Sequence, residues 1–317
     1  MATATTPDVR LSALPPAVGR AGLRGAIASE FTKLRSVRST YWTLGALFIV
    51  SVGLSIAITG GTAANMANNP GNKAGFDATQ ASLGAFFELG QLIIAVIGAM
   101  VITSEYSTGM IRTSLSAMPR RGVVYAAKAI VFTAVTLAIS LVTAFIAFFV
   151  GQAMLSGKGV AASLFHTVMI PANANVTCTG GGPNSPGPGN CTAVFSGTDV
   201  ITASTVLTAI IGTALFVTIV ALIAYGVGAI VRHTAGTISI VIAFLFIVPI
   251  LEHTLPDNWR WDIMRFLPDA ASQVVSSTIA GNGPGHLWSA WPQLGVTALW
   301  AVALVGIGAY LFRKRDA

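Results

Sequence analysis

The residue types that carry enzyme chemistry are few in this sequence and form no familiar catalytic pattern. The histidines His166, His233, His253 and His286 are scattered, and no H-E-x-x-H or G-x-S-x-G motif occurs. The nearest approach to a phosphate-binding loop, Gly157-Lys158-Gly159, lacks the G-x-x-x-x-G-K-[ST] spacing. We therefore expect no catalytic residues, no metal site and no cofactor bound by this chain itself.

One pair of polar residues lies inside an apolar stretch, where its chemistry would concern transport. Glu88 and Gln91 occur in the segment FFELGQL. An ionisable group inside a membrane span is costly and marks a candidate functional position. We interpret Glu88 and Gln91 as candidate residues of a translocation path or gate. The alternative is a structural role near the outer end of the span, where water reaches the carboxylate.

Composition identifies the class of protein that must position these residues. The chain has 317 residues, of which 54% are hydrophobic and 9% charged, whereas soluble proteins carry about 25% charged residues. Together with a mean hydropathy of +0.74, this excludes a soluble enzyme, a disordered chain and a disulfide scaffold. The net charge of +7 does not indicate nucleic-acid binding, since no soluble basic domain or recognition helix accompanies it.

Six apolar stretches are long enough to cross a bilayer, since a spanning helix needs about 20 mostly apolar residues. They are Tyr41–Thr59, Leu83–Thr103, Ala129–Val150, Thr202–Val231, Thr234–Leu251 and Leu294–Phe312. The sequence therefore predicts an all-α polytopic membrane protein in which residues 1–317 form one transmembrane domain with a six-span core over residues 41–312. Pro249 predicts a kink or broken end in the fifth span, and Lys128 is expected to extend toward the interface.

The basic residues orient this six-span chain. With both termini in the cytoplasm, fourteen Lys and Arg residues lie on the cytoplasmic side and four outside, as the positive-inside rule requires. We expect no cleavable signal peptide, because no apolar segment precedes residue 41. Residues 1–21 are then a flexible cytoplasmic tail, and the protein is expected in the bacterial inner membrane.

The outer side should carry two long segments of different character. Residues 154–201 form an extracytoplasmic loop rich in Gly, Pro, Asn and Ser, which contains Cys178 and Cys191. On an oxidising face, these two cysteines are expected to form a disulfide; the alternative is two free thiols. The aromatic segment from Glu252 to Pro292 predicts one or two short re-entrant or interfacial helices before the last span.

An amphipathic helix is predicted immediately before the first span, at residues 22–40. Leu23, Ile27, Phe31 and Leu34 share one helical face, with basic residues largely on the others. Such a helix lies in the inner-leaflet interface with its basic side chains toward anionic headgroups. The alternative is a helix packed on the protein itself.

These features together resemble the permease subunits of type-2 ABC transporters, the bacterial exporters built from six-span half-channels. The segment most specific to this family runs from Ser104-Glu-Tyr-Ser-Thr-Gly-Met-Ile-Arg112 through Met118-Pro-Arg-Arg121 to Lys128. Ser29-Glu-Phe-Thr-Lys-Leu-Arg35 is similar to the family's interfacial elbow helix, and the end of the chain, Phe312-Arg-Lys-Arg-Asp316, to its cytoplasmic tail. Phe266-Leu-Pro-Asp269 resembles the family's outer helices.

The resemblance implies a mechanical function. Two permeases pair, as a homodimer or heterodimer, and each docks a separate ATP-binding subunit that holds ATP and Mg²⁺, while this chain is no enzyme. Transferred from the family motif, the residues that couple the permease to the ATPase are Glu30, Lys33, Glu105, Gly109, Arg112, Pro119, Arg120 and Arg121. For Arg120 and Arg121 the alternative is plain positive-inside anchoring. As rival functions, we consider an ATP-independent secondary transporter or channel, or a non-transporting membrane anchor.

Overall fold

The chain folds as a helical assembly with a single β-hairpin in the described residues. The computed structural model describes residues 22–68, 73, 76–165, 167–179, 190–252, 254–279 and 287–314. The helices are α1 (Leu23–Ser36), α2 (Arg38–Asn68), α3 (Ala78–Leu83), α4 (Gln91–Ser107), α5 (Met110–Ala117), α6 (Arg121–Leu155), α7 (Ala203–Val231), α8 (Thr234–Ile242), α9 (Val248–Glu252), α10 (Asp257–Met264), α11 (Ala270–Val275) and α12 (Ala290–Lys314). The hairpin consists of strands β1 (Val168–Thr179) and β2 (Asn190–Ile201).

Five of the six predicted spans lie in long helices, whereas the second, predicted at residues 83–103, is divided among the end of α3, a π-helical turn and α4. Five helices in the described part are long and apolar enough to cross a membrane: Thr40–Met66, Arg121–Lys158, Ala203–Val231, Thr234–Leu251 and Ala290–Lys314. A sixth span is counted only if α4 and the following short helix, which is bent from it by 79°, are taken together. The prediction of an all-α polytopic membrane protein is therefore confirmed.

Among the described residues, two π-helical turns occur in the predicted spans, at Phe86–Gly90 before α4 and at Ala243–Ile247 between α8 and α9. The second has a direct cause in the sequence, because Pro249 has no N–H and its ring crowds the carbonyl group four residues earlier. The wider turn, in which the Val248 N–H donates to the Ala243 carbonyl, relieves that crowding. The expected disturbance near Pro249 takes this form.

Helix α7 forms the centre of the molecule. In its most apolar stretch 67% of the residues are buried, against 22% in the spans of α2 and α12. It packs against α4, α6 and α12, and small residues allow the close approach. A Cβ atom added at Gly98 on α4 would lie 2.4 Å from the carbonyl oxygen of Ala221 on α7, so only glycine fits that contact.

The side of the molecule that carries the hairpin is more structured than the sequence indicates. Residues 154–201 were expected to be a loop, but β1 and β2 pair antiparallel within it. One or two short helices were expected in the aromatic segment, and two are present, α10 and α11, although α10 begins at Asp257, earlier than the apolar periodicity indicated. Residues 1–21, assigned to a flexible tail, lie outside the described residues.

A buried carboxylate that the sequence analysis did not single out joins two distant segments on this side. Asp77 caps α3 by accepting from the backbone N–H groups of Thr79 and Gln80. The same carboxylate accepts hydrogen bonds from the hydroxyl groups of Ser277 and Thr278 and from the backbone N–H groups of Thr278 and Ile279. Asp77 thus fastens the segment after α11 to the start of α3.

Candidate coupling site

Four charged side chains converge at the opposite end of the helices from the hairpin. Glu30 and Lys33 come from α1, Glu105 from the last turn of α4, and Lys128 from the second turn of α6. Lys128 Nζ lies 2.6 Å from Glu30 Oε2 and 2.7 Å from Glu105 Oε1. Lys33 Nζ lies 2.6 Å from Glu30 Oε1 and 3.5 Å from Glu105 Oε1. These four residues are called the charge network below.

The charge network is largely removed from solvent. The side chains of Glu30, Glu105 and Lys128 are 6%, 8% and 9% exposed, whereas that of Lys33 is 36% exposed. Buried charges of this kind are stable only when they are paired and hydrogen-bonded. With two carboxylates and two ammonium groups the network is electrically balanced, which allows it to exist in a dry position.

Helix α1 joins the network through a polar face. Glu30 and Lys33 are three residues apart and therefore lie on the same side of the helix. Ala26 and Glu30 are the buried residues of α1, whereas Leu23 and Phe31 of the predicted apolar face are 44% and 52% exposed. The helix thus packs on the protein through its Ala26–Glu30 face, with Ile27 and Leu34 half-buried, and leaves Leu23 and Phe31 at the surface, where an interfacial helix would meet lipid.

The pKa values of the two residues in α1 reflect this pairing. Burial alone would raise the pKa of the Glu30 carboxyl group, but the ammonium groups of Lys128 and Lys33 outweigh burial and hold that pKa below its ordinary value. Burial alone would lower the pKa of Lys33, but the carboxylates of Glu30 and Glu105 hold it above its ordinary value. Both residues are therefore charged at neutral pH.

The network also reaches α5, the short helix that follows α4. Lys33 Nζ donates a hydrogen bond to Ser114 Oγ on α5 over 3.1 Å. The chain enters α5 through Gly109, whose φ of +72° lies in the left-handed region that favours glycine. This turn accounts for the sharp bend after α4. Lys33 therefore connects α1 and α5, and through Glu105 it also connects both to the end of α4.

The remaining predicted coupling residues lie around this site and not within it. Arg112, Pro119 and Arg120 are exposed, and Arg121 is half-buried at the first position of α6. Pro119 ends the connection from α5, and Met118 before it is extended, as expected for a residue that precedes proline. Of the eight predicted residues, the structure therefore brings three together, Glu30, Lys33 and Glu105, while Gly109 shapes the turn beside them.

Lys128 is the functional candidate that sequence reasoning placed wrongly. It was expected to extend toward the membrane interface at the start of the third span, but it is 7% exposed and lies between two carboxylates inside the protein. An isolated lysine beside an apolar run is compatible with either arrangement. The signal that could have placed it was the presence of two acidic residues, Glu30 and Glu105, on the predicted cytoplasmic side. Lys128 lies on the same side in the sequence-based topology.

The candidate residues of a translocation path are separated from this site along α4. Gln91 is buried, and its Nε2 donates to the Phe87 carbonyl oxygen over 2.7 Å. Its Oε1 atom has no hydrogen-bond partner in the described structure. The backbone of Glu88 lies in the π-helical turn before α4, but its side chain lies outside the described part of the chain. A role for Glu88 and Gln91 in transport stays a prediction.

The two cysteines lie opposite each other in the hairpin. The register of β1 and β2 pairs Cys178 with Cys191. Their side chains lie outside the described part, so the disulfide stays a prediction with which the backbone register agrees.

Comparison with known families gives one result. Residues 26–178 match the family model described as ABC-2 family transporter protein. The match covers nearly half of the chain and includes the whole charge network, Gly109 and the connection to α6. No curated protein matches the chain.

Proposed function

We propose, from the match of residues 26–178 to the ABC-2 family transporter model, that this chain is the permease subunit of an ATP-driven exporter. ATP and Mg²⁺ are bound by a separate ATP-binding subunit, and two permeases pair to form the translocation path. In this proposal the chain has no ATPase site of its own and does not bind nucleic acid. It spans the bacterial inner membrane with both termini in the cytoplasm.

The observation that carries the proposal is the charge network. A coupling device must join the surface that an ATPase can reach to helices that line or shape the membrane path. The exposed side of α5 offers Met110, which is 48% exposed, and Arg112 to such a partner. From α5 the Ser114–Lys33 hydrogen bond leads to Glu30, Glu105 and Lys128, and hence to α4 and α6. Movement of α5 is thereby passed to two spans and the elbow.

The test uses the tagged full-length chain, purified from native membranes in mild detergent. We expect an ATP-binding subunit to co-purify and to hydrolyse ATP, whereas the separated chain has no ATPase activity. Arg112→Glu is expected to reduce recovery of that subunit about tenfold, since reversal of an interfacial charge costs on the order of 1–2 kcal/mol. Arg35→Glu is the matched control, because Arg35 is also exposed but belongs to neither α5 nor the charge network.

Two outcomes would contradict the proposal. Recovery of no ATPase from native membranes would remove the energy source that it requires. Ion flux through the purified chain alone in liposomes, driven by an ion gradient without ATP, would select the secondary transporter or channel instead.

A further inference from the structure

A cavity of about 390 Å³ lies beside the charge network, between α1, α2, α4 and α6. Its wall changes character along both long helices. On α4, Glu105 is followed one turn and two turns deeper by Val101 and Ile97, and on α6, Lys128 is followed by Val131 and Val135. The cavity therefore has a charged end at the network and an apolar remainder, which is the shape of a site for an amphiphile.

The charged end contains an acceptor that the protein leaves unused. Glu105 is 7% exposed, and its Oε2 atom is buried without a hydrogen-bond partner in the described structure. A carboxylate oxygen left unpaired in a buried position is costly, so a donor that reaches it is favoured. The hydroxyl-bearing residues Thr40 and Ser104 also line the cavity, and their side chains can both donate and accept.

The charge balance of the network restricts the headgroup of the ligand. Glu30 and Glu105 are already matched by Lys33 and Lys128. An ammonium or phosphate group would add a net charge to a largely buried site whose charges already balance. A neutral hydroxyl or amide N–H can supply the missing donor without that cost.

We propose that this cavity binds a neutral amphiphile whose hydroxyl or amide group donates a hydrogen bond to Glu105 Oε2 while its alkyl chain lies between α4 and α6. Oε2 is covered in this structure, so the Glu105 carboxylate must turn toward the cavity for the ligand to reach it. The ligand rests against α1 and α2 as well, so its occupancy stabilises the docked position of the elbow helix. This site is independent of the export function, because binding requires neither ATP nor the partner subunit.

The test measures photolabelling of the full-length chain in nanodiscs of phosphatidylcholine, a lipid whose headgroup has no O–H or N–H donor. The probe is a long-chain alcohol that carries a diazirine in its alkyl chain. We expect mass spectrometry to place the label on the α4 and α6 residues that line the cavity. Unlabelled dodecanol should compete, and its methyl ether should compete about tenfold more weakly, because it lacks the donor to a charged acceptor.

Variants locate the site. Val135→Trp fills the cavity from α6 and Met100→Trp fills it from α4, so each should abolish labelling at these residues. Ile130→Trp is the matched control, since Ile130 is 46% exposed and does not line the cavity. Equal labelling in Val135→Trp and Ile130→Trp would overturn the proposed location. Equal competition by dodecanol and its methyl ether, or stronger competition by dodecylamine, would overturn the neutral donor.

Discussion

Lys128 holds two carboxylates together that would otherwise repel each other in a dry position. Its ammonium group is within 2.7 Å of both Glu30 and Glu105, and it is far less exposed than Lys33, the other cation of the network. A buried ion pair need not stabilise a protein more than apolar residues would, but removal of one partner leaves an uncompensated charge. The two lysines should therefore differ strongly in their effect.

We expect Lys128→Met to destabilise the protein by about 3–5 kcal/mol, because it leaves Glu30 and Glu105 buried without their shared cation. Lys33→Met, the matched control, should cost less than about 1 kcal/mol, because Lys33 is more accessible to water. The measurement is thermal unfolding of each purified variant in the same detergent.

Rescue distinguishes charge from packing at this position. Addition of Glu105→Gln to Lys128→Met removes the unpaired charge, because Glu30 remains paired with Lys33, and it should recover much of the lost stability. The electrostatic explanation is wrong if the single Lys128→Met variant unfolds at the wild-type temperature, or if the double variant is no more stable than the single one.

Among the elements, α7 and α1 owe their positions to contacts that their hydrophobic patterns do not reveal. Helix α7 is surrounded by α4, α6 and α12, and it approaches α4 so closely that glycine is required at residue 98. Helix α1 turns its polar face inward because Glu30 finds Lys128 there. In both cases the partner helix, and not the periodicity of the helix itself, decides which face is buried.

The contact between α4 and α7 makes a prediction at this scale. Gly98→Val should destabilise the protein by about 1–3 kcal/mol, because the added side chain meets the Ala221 backbone, which cannot move aside without shifting the helix. Gly53→Val on α2 is the matched control, since nothing lies within 4 Å of a Cβ atom at Gly53.

The measurement is the thermal unfolding midpoint of each of these two glycine variants in the same detergent. The control includes the change in helix propensity that both substitutions share, so only the difference between them reports the contact. Equal midpoints for Gly98→Val and Gly53→Val would show that α4 and α7 can separate without cost.

At the scale of the whole molecule, buried ion pairs hold one end of the helical assembly together and buried hydrogen bonds hold the other. The charge network joins α1, α4 and α6 at one end. At the other, Asp77 joins α3 to residues 277–279, which are about two hundred positions away in the chain. Helix packing between them is mainly apolar and small-residue contact, which specifies position less strictly than buried hydrogen bonds do.

We expect Asp77→Asn to release the segment after α11, because the amide NH₂ group would face N–H and O–H donors that now meet carboxylate oxygens. Backbone hydrogen exchange at Thr278 and Ile279 should become about tenfold faster or more, since a hydrogen bond to a charged group contributes roughly 1.5–3 kcal/mol.

Asp262→Asn serves as the control for that experiment. Asp262 belongs to an ion pair with Arg265, but its side chain is 68% exposed, so its loss should leave exchange at residues 278 and 279 unchanged. Similar exchange rates at these residues in both variants would mean that Asp77 does not fasten the two segments.

The class of protein, the approximate positions of five spans and the helix before the first span are predictable from the sequence alone. These follow from local composition, because a bilayer requires long apolar helices whatever their partners are. The sequence also identified Glu30, Lys33 and Glu105, through resemblance to a family. It did not determine the hairpin at residues 168–201, whose pairing depends on two strands that a ten-residue connection separates.

Which of these residues meet depends on how the helices pack. Lys128 and the pair Glu30–Glu105 are 23 or more positions apart, and Asp77 and Thr278 are 201 apart. A span of uniformly apolar residues does not show which face is buried, since lipid and protein interior are equally apolar to it. The positions of buried charges and glycines settle that orientation. A buried charge must face its counterion, and a close contact between two helices requires glycine at the point of contact.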